Sequence, residues 1–247
     1  MTVTAAFFDL DRTLSRGSAT FPLAVAAFRA GYVPPRDLLW DAVAAVSFVL
    51  RGATDEGSAA LRERILRVVA GRPAADFTAL SEVFVPRLVA SVLPEAGALL
   101  AEHGSAGHDR FVVSASPVEI VRPLAEKLGL EGAVGTRSQI DQDGLYTGVL
   151  AGPFCYQEGK AEEVRLLAAE RGYDLADCYA YSDSISDLPF LEAVGHPVAV
   201  NPDREPRETG QRSGWPIVEV RPAKRYAVFG LPRRLLNLAR LGGGGRS

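Results

Sequence analysis

Cysteine and histidine are scarce in this chain, and no sign of charge dominates it. The two cysteines, Cys155 and Cys178, form no CxxC pair, so neither a disulfide framework nor a zinc knuckle is predicted. A formal charge of −3 over 247 residues offers no basic patch of the kind that binds nucleic acid. The histidines lie near predicted turns without metal-ligand spacing, and no role is predicted for His103, His108 and His196.

Long apolar runs are also lacking. No stretch of about 18 residues is both apolar and uncharged, so no membrane-spanning helix is predicted. The N-terminal segment does not have the basic region and apolar core of a signal peptide, because Asp9 and Asp11 interrupt it. We therefore expect a soluble protein of a reducing compartment, the cytoplasm.

Strand and helix patterns alternate from residue 110 onward. Short apolar runs predict strands at residues 5–8, 111–113, 133–137, 178–181 and 197–200. Helical patterns lie between them, at residues 94–104, 118–128, 160–171 and 187–193, whereas the polar stretch 201–213 is assigned no element. This alternation is typical of the α/β class and predicts a Rossmann-like, mostly parallel sheet with right-handed crossovers.

Residues 20–89 have a different texture, with apolar residues at helical spacing and little strand signal. We therefore predict a core domain of residues 1–16 and 91–222, with an all-helical insertion at residues 17–90. Residues 223–247 form a basic, amphipathic tail. Packing of this tail on its own core is the preferred interpretation, and contact with an anionic membrane surface is the alternative.

Asp9 and Asp11 follow the first apolar run, two residues apart. In extended backbone, such residues point to the same side, at the edge where open α/β sheets bind ligands. Two carboxylates this close repel each other unless a cation or a shared proton intervenes. The simpler alternative, a strand end running into a polar turn, explains one aspartate better than two.

Other polar groups follow the later strands or start the helices after them: Ser114, Ser116, Lys160, Asp183 and Asp187. Singly, each has a structural explanation such as helix capping or a solvated surface position. Together with the two aspartates they supply what phosphoryl transfer to a carboxylate needs. These groups are a nucleophile, a proton carrier, hydrogen-bond donors for the phosphoryl oxygens, and a cation. Oxygen ligands of this kind suit Mg²⁺.

The same residues resemble the motifs of the haloacid dehalogenase superfamily. Residues 8–14 (FDLDRTL) resemble its DxDxT signature, and residues 113–116 (VSAS) its second motif. Lys160 matches the third motif, and residues 181–189 (YSDSISDLP) resemble the acidic fourth. The sequences of these motifs are most similar to those of the phosphoserine phosphatase-like branch, subfamily IB. The helical insertion lies where this superfamily places its C1 cap.

The resemblance implies a role for each acid. Asp9 would attack phosphorus and become an aspartyl phosphate, while Asp11 would protonate the leaving alkoxide and then activate water. Mg²⁺ would be held by the carboxylates of Asp9 and Asp183 and by the backbone carbonyl of Asp11. Asp187 would support this metal site from outside.

The resemblance also implies the groups that hold the substrate. Ser114 and the amides of Ala115 and Ser116 would bind phosphoryl oxygens, and Lys160 would neutralise charge. Thr13 would orient the first loop against the substrate.

Recognition of the leaving alcohol is less well marked. Residues 14–18 (LSRGS) contain no acid where phosphoserine phosphatases carry a glutamate for the substrate ammonium. Residues 61–65 (LRERI) resemble the cap segment that offers an arginine to the substrate carboxylate, best matched by Arg64. Solvated helix charges at Arg62 and Arg64 are the alternative.

The predicted function is a Mg²⁺-dependent phosphomonoester hydrolase that acts on a small phosphorylated metabolite, with phosphoserine as one candidate. The alternatives are a phosphatase of a lipid or sugar phosphate, and a non-catalytic phosphate-binding regulatory module with the same fold. No oligomeric state is predicted.

Overall fold

The computed structural model describes residues 3–17, 62–63, 66–67, 69–202 and 204–219. Most of the predicted helical insertion, the candidate Arg64 and the basic tail lie outside the described residues. None of the described helices is long and apolar enough to cross a bilayer.

The strands are β1 (Ala5–Asp9), β2 (Asp109–Pro117), β3 (Gly132–Thr136), β4 (Ser138–Ile140), β5 (Tyr146–Leu150), β6 (Tyr179–Ser182), β7 (His196–Val200) and β8 (Ile217–Val218). The α-helices are α1 (Ala74–Ser91), α2 (Pro94–Ser105), α3 (Val118–Lys127), α4 (Glu158–Arg171), α5 (Leu188–Glu192) and α6 (Arg204–Ser213). Six strands form one sheet in the order β3-β2-β1-β6-β7-β8, and β4 and β5 form a separate antiparallel hairpin. All strand pairs of the six-stranded sheet are parallel, so the predicted α/β class is confirmed.

Strand β1 lies at the centre of this sheet, and it is buried along its whole length. Ala6 and Phe8 pack into the hydrophobic cluster on one face, while Ala5 and Phe7 pack into the cluster on the other. A strand covered by helices on both faces is expected to be a continuous apolar run rather than an alternating one. The sequence of β1 follows from this central position.

Helix α1 joins two parts of the molecule. Near its start, Phe77 packs on Val69 and on Tyr146 of the hairpin. Further along, Phe84 and Leu88 are buried in the cluster that covers one face of the sheet. The predicted boundary between insertion and core, at residue 90, stays a prediction, and this helix contributes to the core before that residue.

Helix α6 was missed by the sequence prediction, which assigned no element to residues 201–213. The helix is strongly polar: apart from proline and glycine, every residue of its sequence REPRETGQRS is charged or polar, so hydrophobic periodicity gives little signal. Its proline, Pro206, lies in the first turn, where proline needs no backbone donor.

The three histidines, for which no role was predicted, lie together near the amino ends of the strands. His103 Nδ1 is 2.8 Å from His108 Nδ1, and His103 Nε2 is 2.7 Å from the Tyr181 hydroxyl oxygen. The His196 ring stacks on Tyr179 at 4.6 Å between centroids. Burial, with the neighbouring His108 and Arg110, lowers the pKa of His103 from 6.5 to about 4.

Because the pKa of His103 is lower in the folded chain, the unfolded chain binds the proton more readily between pH 4 and 6.5. We expect the stabilisation of the folded chain by neutral His103 to be complete above pH 6.5 and to be lost as the pH falls towards 4. The free energy of unfolding of the wild type, minus that of His103→Gln, should change by at most about 3 kcal/mol across this window. Urea denaturation at a series of pH values measures this difference, and a constant difference would contradict the assignment.

Candidate active site

The sequence predicted that Asp9 and Asp11 lie on one extended strand, but β1 ends at Asp9 and a turn follows it. Residues Leu10–Leu14 form one wide helical turn, closed by the Ser15 amide donating to the Leu10 carbonyl at 2.9 Å. Within this turn Asp11 keeps an extended backbone, with φ −75° and ψ 121°, and Arg12 has φ 62° in the left-handed region. Asp11 is close enough to raise the pKa of Asp9, so the two acids come together through a turn at the sheet edge.

Lys160 is the centre of a buried polar network. It lies in the first turn of α4, and its Nζ donates to Asp9 Oδ1 and to Asp187 Oδ2, each at 2.7 Å. The Ser182 hydroxyl donates to the same Asp187 oxygen at 2.6 Å. These contacts join the ends of β1 and β6 to the start of α4 and to the segment before α5.

Burial and neighbouring acids both disfavour the negative charge of Asp9. Burial raises the pKa of Asp9 well above its ordinary value; Lys160 opposes this shift, and the charges of Asp187, Asp183 and Asp11 add to it. Burial alone would lower the pKa of Lys160, but Asp187 and Asp9 raise it above its ordinary value, so the ammonium stays charged. The edge of the sheet therefore favours a further positive charge.

Arg12 supplies part of that charge at Asp183. Its Nη2 lies 2.7 Å from Asp183 Oδ2, and the Asp183 side chain is buried while that of Arg12 is 42% exposed. The sequence prediction did not single out Arg12, although it lies inside the first motif. Ser182 was also missed, because a serine at a strand end has many structural uses.

The second predicted motif lies at the end of β2, next to Asp9. Val113 pairs with Asp9 across the two strands, and the register of β2 becomes irregular beyond it. Ser114 is buried, and its hydroxyl oxygen accepts from the Ser116 amide at 3.1 Å. The Ala115 carbonyl accepts from Thr136 Oγ1 at 2.7 Å. Ser114 does not cap the next helix, since α3 begins after Pro117 without a side-chain cap.

The remaining predicted residues are placed as follows. Thr13 is buried, and within the described residues its hydroxyl has no hydrogen-bond partner. Arg64 is outside the described residues, but Arg62 places its guanidinium carbon 6.0 Å from the centroid of the Phe154 ring. Cys155 lies near Lys160, and burial raises the pKa of its thiol to about 12, which keeps it protonated and unsuited as a nucleophile.

The side chains at this edge that could coordinate a metal ion offer oxygen atoms. Among the residues that the structure describes, no three His, Cys, Asp or Glu side chains converge so as to hold a metal ion by themselves. Mg²⁺ commonly takes only one or two carboxylates and completes its coordination with phosphate and water. The carboxylates of Asp9 and Asp183, in a site with excess negative charge, therefore fit a hard divalent cation.

Comparisons with known proteins agree with this geometry. The haloacid dehalogenase-like hydrolase family model matches residues 6–192. The chain belongs to this family. A probable phosphatase of Mycobacterium tuberculosis is 44% identical over 216 residues, which is 87% of this chain and 75% of the relative. A phosphoserine phosphatase of the same organism is 36% identical over 233 residues, covering 94% of this chain and 75% of its own length.

A solved structure supports the fold of the hydrolase. A protein of unknown function from Bordetella pertussis superposes with a TM-score of 0.77 at 28% identity, over 90% of this chain and 100% of that protein. The predicted superfamily and its phosphoserine phosphatase-like branch are confirmed, and the chain is a phosphatase of this family. All of the predicted site residues lie within the matched residues 6–192.

Removing the Lys160 charge should leave two buried carboxylates without their counter-ion. For Lys160→Met we expect the free energy of unfolding at pH 7 to fall by about 3–5 kcal/mol. Arg165→Met is the matched control, because the Arg165–Glu158 contact has the same 2.7 Å length but side chains that are 50% and 67% exposed. It should cost less than about 1 kcal/mol. Equal losses in chemical denaturation would show that burial does not set the strength of the Lys160 network.

Proposed function

We propose that this hydrolase is a Mg²⁺-dependent phosphomonoesterase that works through an aspartyl phosphate on Asp9. The observation that carries the proposal is the position of the Asp9 carboxylate, held at a strand end by a buried lysine. A nucleophilic carboxylate needs a fixed orientation and a cationic neighbour to accept a charged phosphate. Lys160 meets both requirements.

In the first step, Asp9 attacks phosphorus and the bond from phosphorus to the leaving oxygen breaks. The Lys160 contact occupies Asp9 Oδ1, so we assign the attack to Oδ2. Asp11 gives its proton to the leaving alkoxide. In the second step the Asp11 carboxylate takes a proton from water, which attacks phosphorus and releases inorganic phosphate and Asp9.

The phosphoryl oxygens are assigned to the end of β2 and to Lys160. The Ser114 hydroxyl and the Ala115 and Ser116 amides lie beside the end of β1. The Ser116 amide donates to Ser114 Oγ at 3.1 Å, and binding of phosphate would draw this donor towards the phosphoryl group. Preorganised donors of this kind stabilise the charge that develops during transfer.

The residues that would hold Mg²⁺ are Asp9 and Asp183 through their carboxylates and Asp11 through its backbone carbonyl. When bound, the ion supplies positive charge that offsets the carboxylates and the phosphoryl oxygens. Asp187, which accepts from Ser182 and Lys160, holds the lysine in place. Its role is to position Lys160 rather than to contact the substrate.

We infer that the substrate is a small phosphorylated metabolite. Phosphoserine is a candidate, supported by the phosphoserine phosphatase of M. tuberculosis among the relatives. We further infer that residues 17–90 form a cap over the site, since they are inserted between the first two motifs. Two buried, unpaired cysteines support a cytoplasmic location.

The function is tested with p-nitrophenyl phosphate and Mg²⁺. Asp9→Asn should lower kcat by about 10³-fold or more because the nucleophile is lost, and Asp11→Asn by about 10²–10⁴-fold. The exposed turn residue Asp143 provides the control Asp143→Asn, which should retain full activity. Full activity of Asp9→Asn would refute the assignment of the nucleophile, and phosphate binding without turnover of any phosphomonoester would favour a non-catalytic module.

Arg12 should compete with Mg²⁺ for the Asp183 carboxylate. We expect Arg12→Gln to bind Mg²⁺ about two- to fivefold more tightly than the wild type, the range that a partly exposed ion pair can supply. Isothermal titration of the protein with Mg²⁺, without substrate, measures this affinity independently of catalysis. Arg16→Gln, a change of an exposed neighbour, is the control and should leave the affinity unchanged, whereas weaker binding by Arg12→Gln would contradict the competition.

A further inference from the structure

The end of strand β2 is a bulge next to the active site. The register of β2 against β3 shifts between Val113 and Pro117, where residues 114–116 of β2 lie opposite Gly135 alone. Bulges leave residues outside the ladder of the sheet, and they redirect a strand next to many active sites. The groups that are assigned to the phosphoryl oxygens therefore lie on the bulged part of β2.

Strand β3 approaches this bulge closely at Gly135. A Cβ atom at this glycine would lie 2.9 Å from the Ser116 carbonyl oxygen and 2.6 Å from a methyl carbon of Val121. Glycine is therefore required for the backbone of β3 to reach the bulge without displacing it. Because of this close approach, the side chain of the next residue, the half-buried Thr136, reaches the backbone of β2.

Thr136 forms a hydrogen bond with the peptide group that joins Ala115 to Ser116. Its hydroxyl donates to the Ala115 carbonyl at 2.7 Å. The amide at the other end of this peptide group, that of Ser116, donates to Ser114 Oγ at 3.1 Å. A peptide group is planar and almost always trans, so its carbonyl and its N–H point in opposite directions. By holding the carbonyl, Thr136 also fixes the direction of the Ser116 amide, towards the hydroxyl of Ser114.

The same hydrogen bond strengthens the Ser116 amide as a donor. Hydrogen bonds that share a peptide group polarise one another, so a carbonyl that accepts makes the attached N–H a better donor. The Thr136 contact also limits how far the peptide group must turn when a phosphoryl group binds, because the plane is held from its carbonyl side. Both effects favour donation from this amide to an anionic oxygen.

The Thr136 hydroxyl also contacts the loop that leads to Lys160. It accepts from the Cys155 amide at 3.4 Å, a longer and weaker contact than its own donation to β2. The loop then turns tightly into α4, since a Cβ atom at Gly159 would collide with the Phe154 carbonyl oxygen. Thr136 therefore lies between the bulge and the loop that positions the active-site lysine.

We propose that Thr136 is a positioning residue for phosphate binding, which orients the Ala115–Ser116 peptide group so that its amide donates to a phosphoryl oxygen. In this assignment Thr136 does not contact the substrate and acts through that peptide group. The assignment deepens the proposed function and rests on it, because it requires that the phosphoryl group bind beside Asp9 at the end of β2. No motif marks Thr136 in the sequence, since threonine is common in strands.

Thr136→Val removes the hydroxyl and keeps a β-branched side chain of similar shape. We expect it to lower kcat/KM for p-nitrophenyl phosphate, with Mg²⁺ present, by about tenfold, the effect of one lost hydrogen bond. Thr136→Ser keeps the hydroxyl and its hydrogen bond, and it should stay within about threefold of the wild type. Losses of equal size in the two variants, or no loss in Thr136→Val, would overturn the assignment.

Thr147→Val is the matched control. The Thr147 hydroxyl also donates to a backbone carbonyl of a neighbouring strand, that of Gln139 at 3.4 Å, but it is exposed on the hairpin. This variant should keep the wild-type kcat/KM, and a loss as large as that in Thr136→Val would contradict a role specific to the bulge. Thr136→Ala, which also lacks the hydroxyl, repeats the test if the valine variant does not fold.

A binding measurement separates this assignment from the proposed function. In isotope-labelled Asp9→Asn protein with Mg²⁺, inorganic phosphate should shift the nuclear magnetic resonance signal of the Ser116 amide. Adding Thr136→Val should reduce this shift and weaken the phosphate affinity by about three- to tenfold, whereas adding Thr136→Ser should preserve both.

This result would support the role of Thr136 even if the wild type hydrolysed no ester, a case in which the proposed function alone would fail. No shift of the Ser116 amide at saturating phosphate, or an unchanged phosphate affinity in Thr136→Val, would overturn the assignment even in an active phosphatase.

Discussion

The contact of Lys160 with Asp9 and Asp187 is the interaction on which the site depends. Both contacts are 2.7 Å long, and the lysine side chain is 3% exposed. Burying an ion costs several kcal/mol, which is recovered only when its partners are in place with good geometry. Because Asp9 and Lys160 are 151 residues apart in sequence, this happens only after the central strands and α4 have assembled. Folding of the core and formation of the site are therefore one event.

The two central strands connect the active site to the histidine cluster at the opposite end of the sheet. Phe8 and Tyr181 stack in parallel on adjacent strands, with ring centroids 4.4 Å apart. The residues that follow them, Asp9 and Ser182, lie at the active site, while the Tyr181 hydroxyl contacts His103. The histidine cluster thus packs on the same two strands that carry the catalytic acids. A neutral His103 favours the packing that fixes the positions of those acids.

Sequence patterns predicted the parts of the molecule that repeat or alternate. The strands around Asp9 and Ser114 are short apolar runs, and the parallel order brings their ends to one edge whatever the loops between them. Helix α6 was missed because polar helices lack a hydrophobic period. The contact between Arg12 and Asp183 depends on one left-handed φ angle, and the histidine cluster on contacts between distant segments. Neither leaves a trace in residue spacing.

Charge balance links the cation and the phosphate in the proposed mechanism. Asp9 is already crowded by the negative charges of Asp187, Asp183 and Asp11, and a phosphate dianion would add to them. Burial is the largest cause of the raised pKa of Asp9, and Lys160 alone offsets neither this burial nor the neighbouring negative charges. The phosphate is therefore expected to bind well only together with a divalent cation at Asp9 and Asp183.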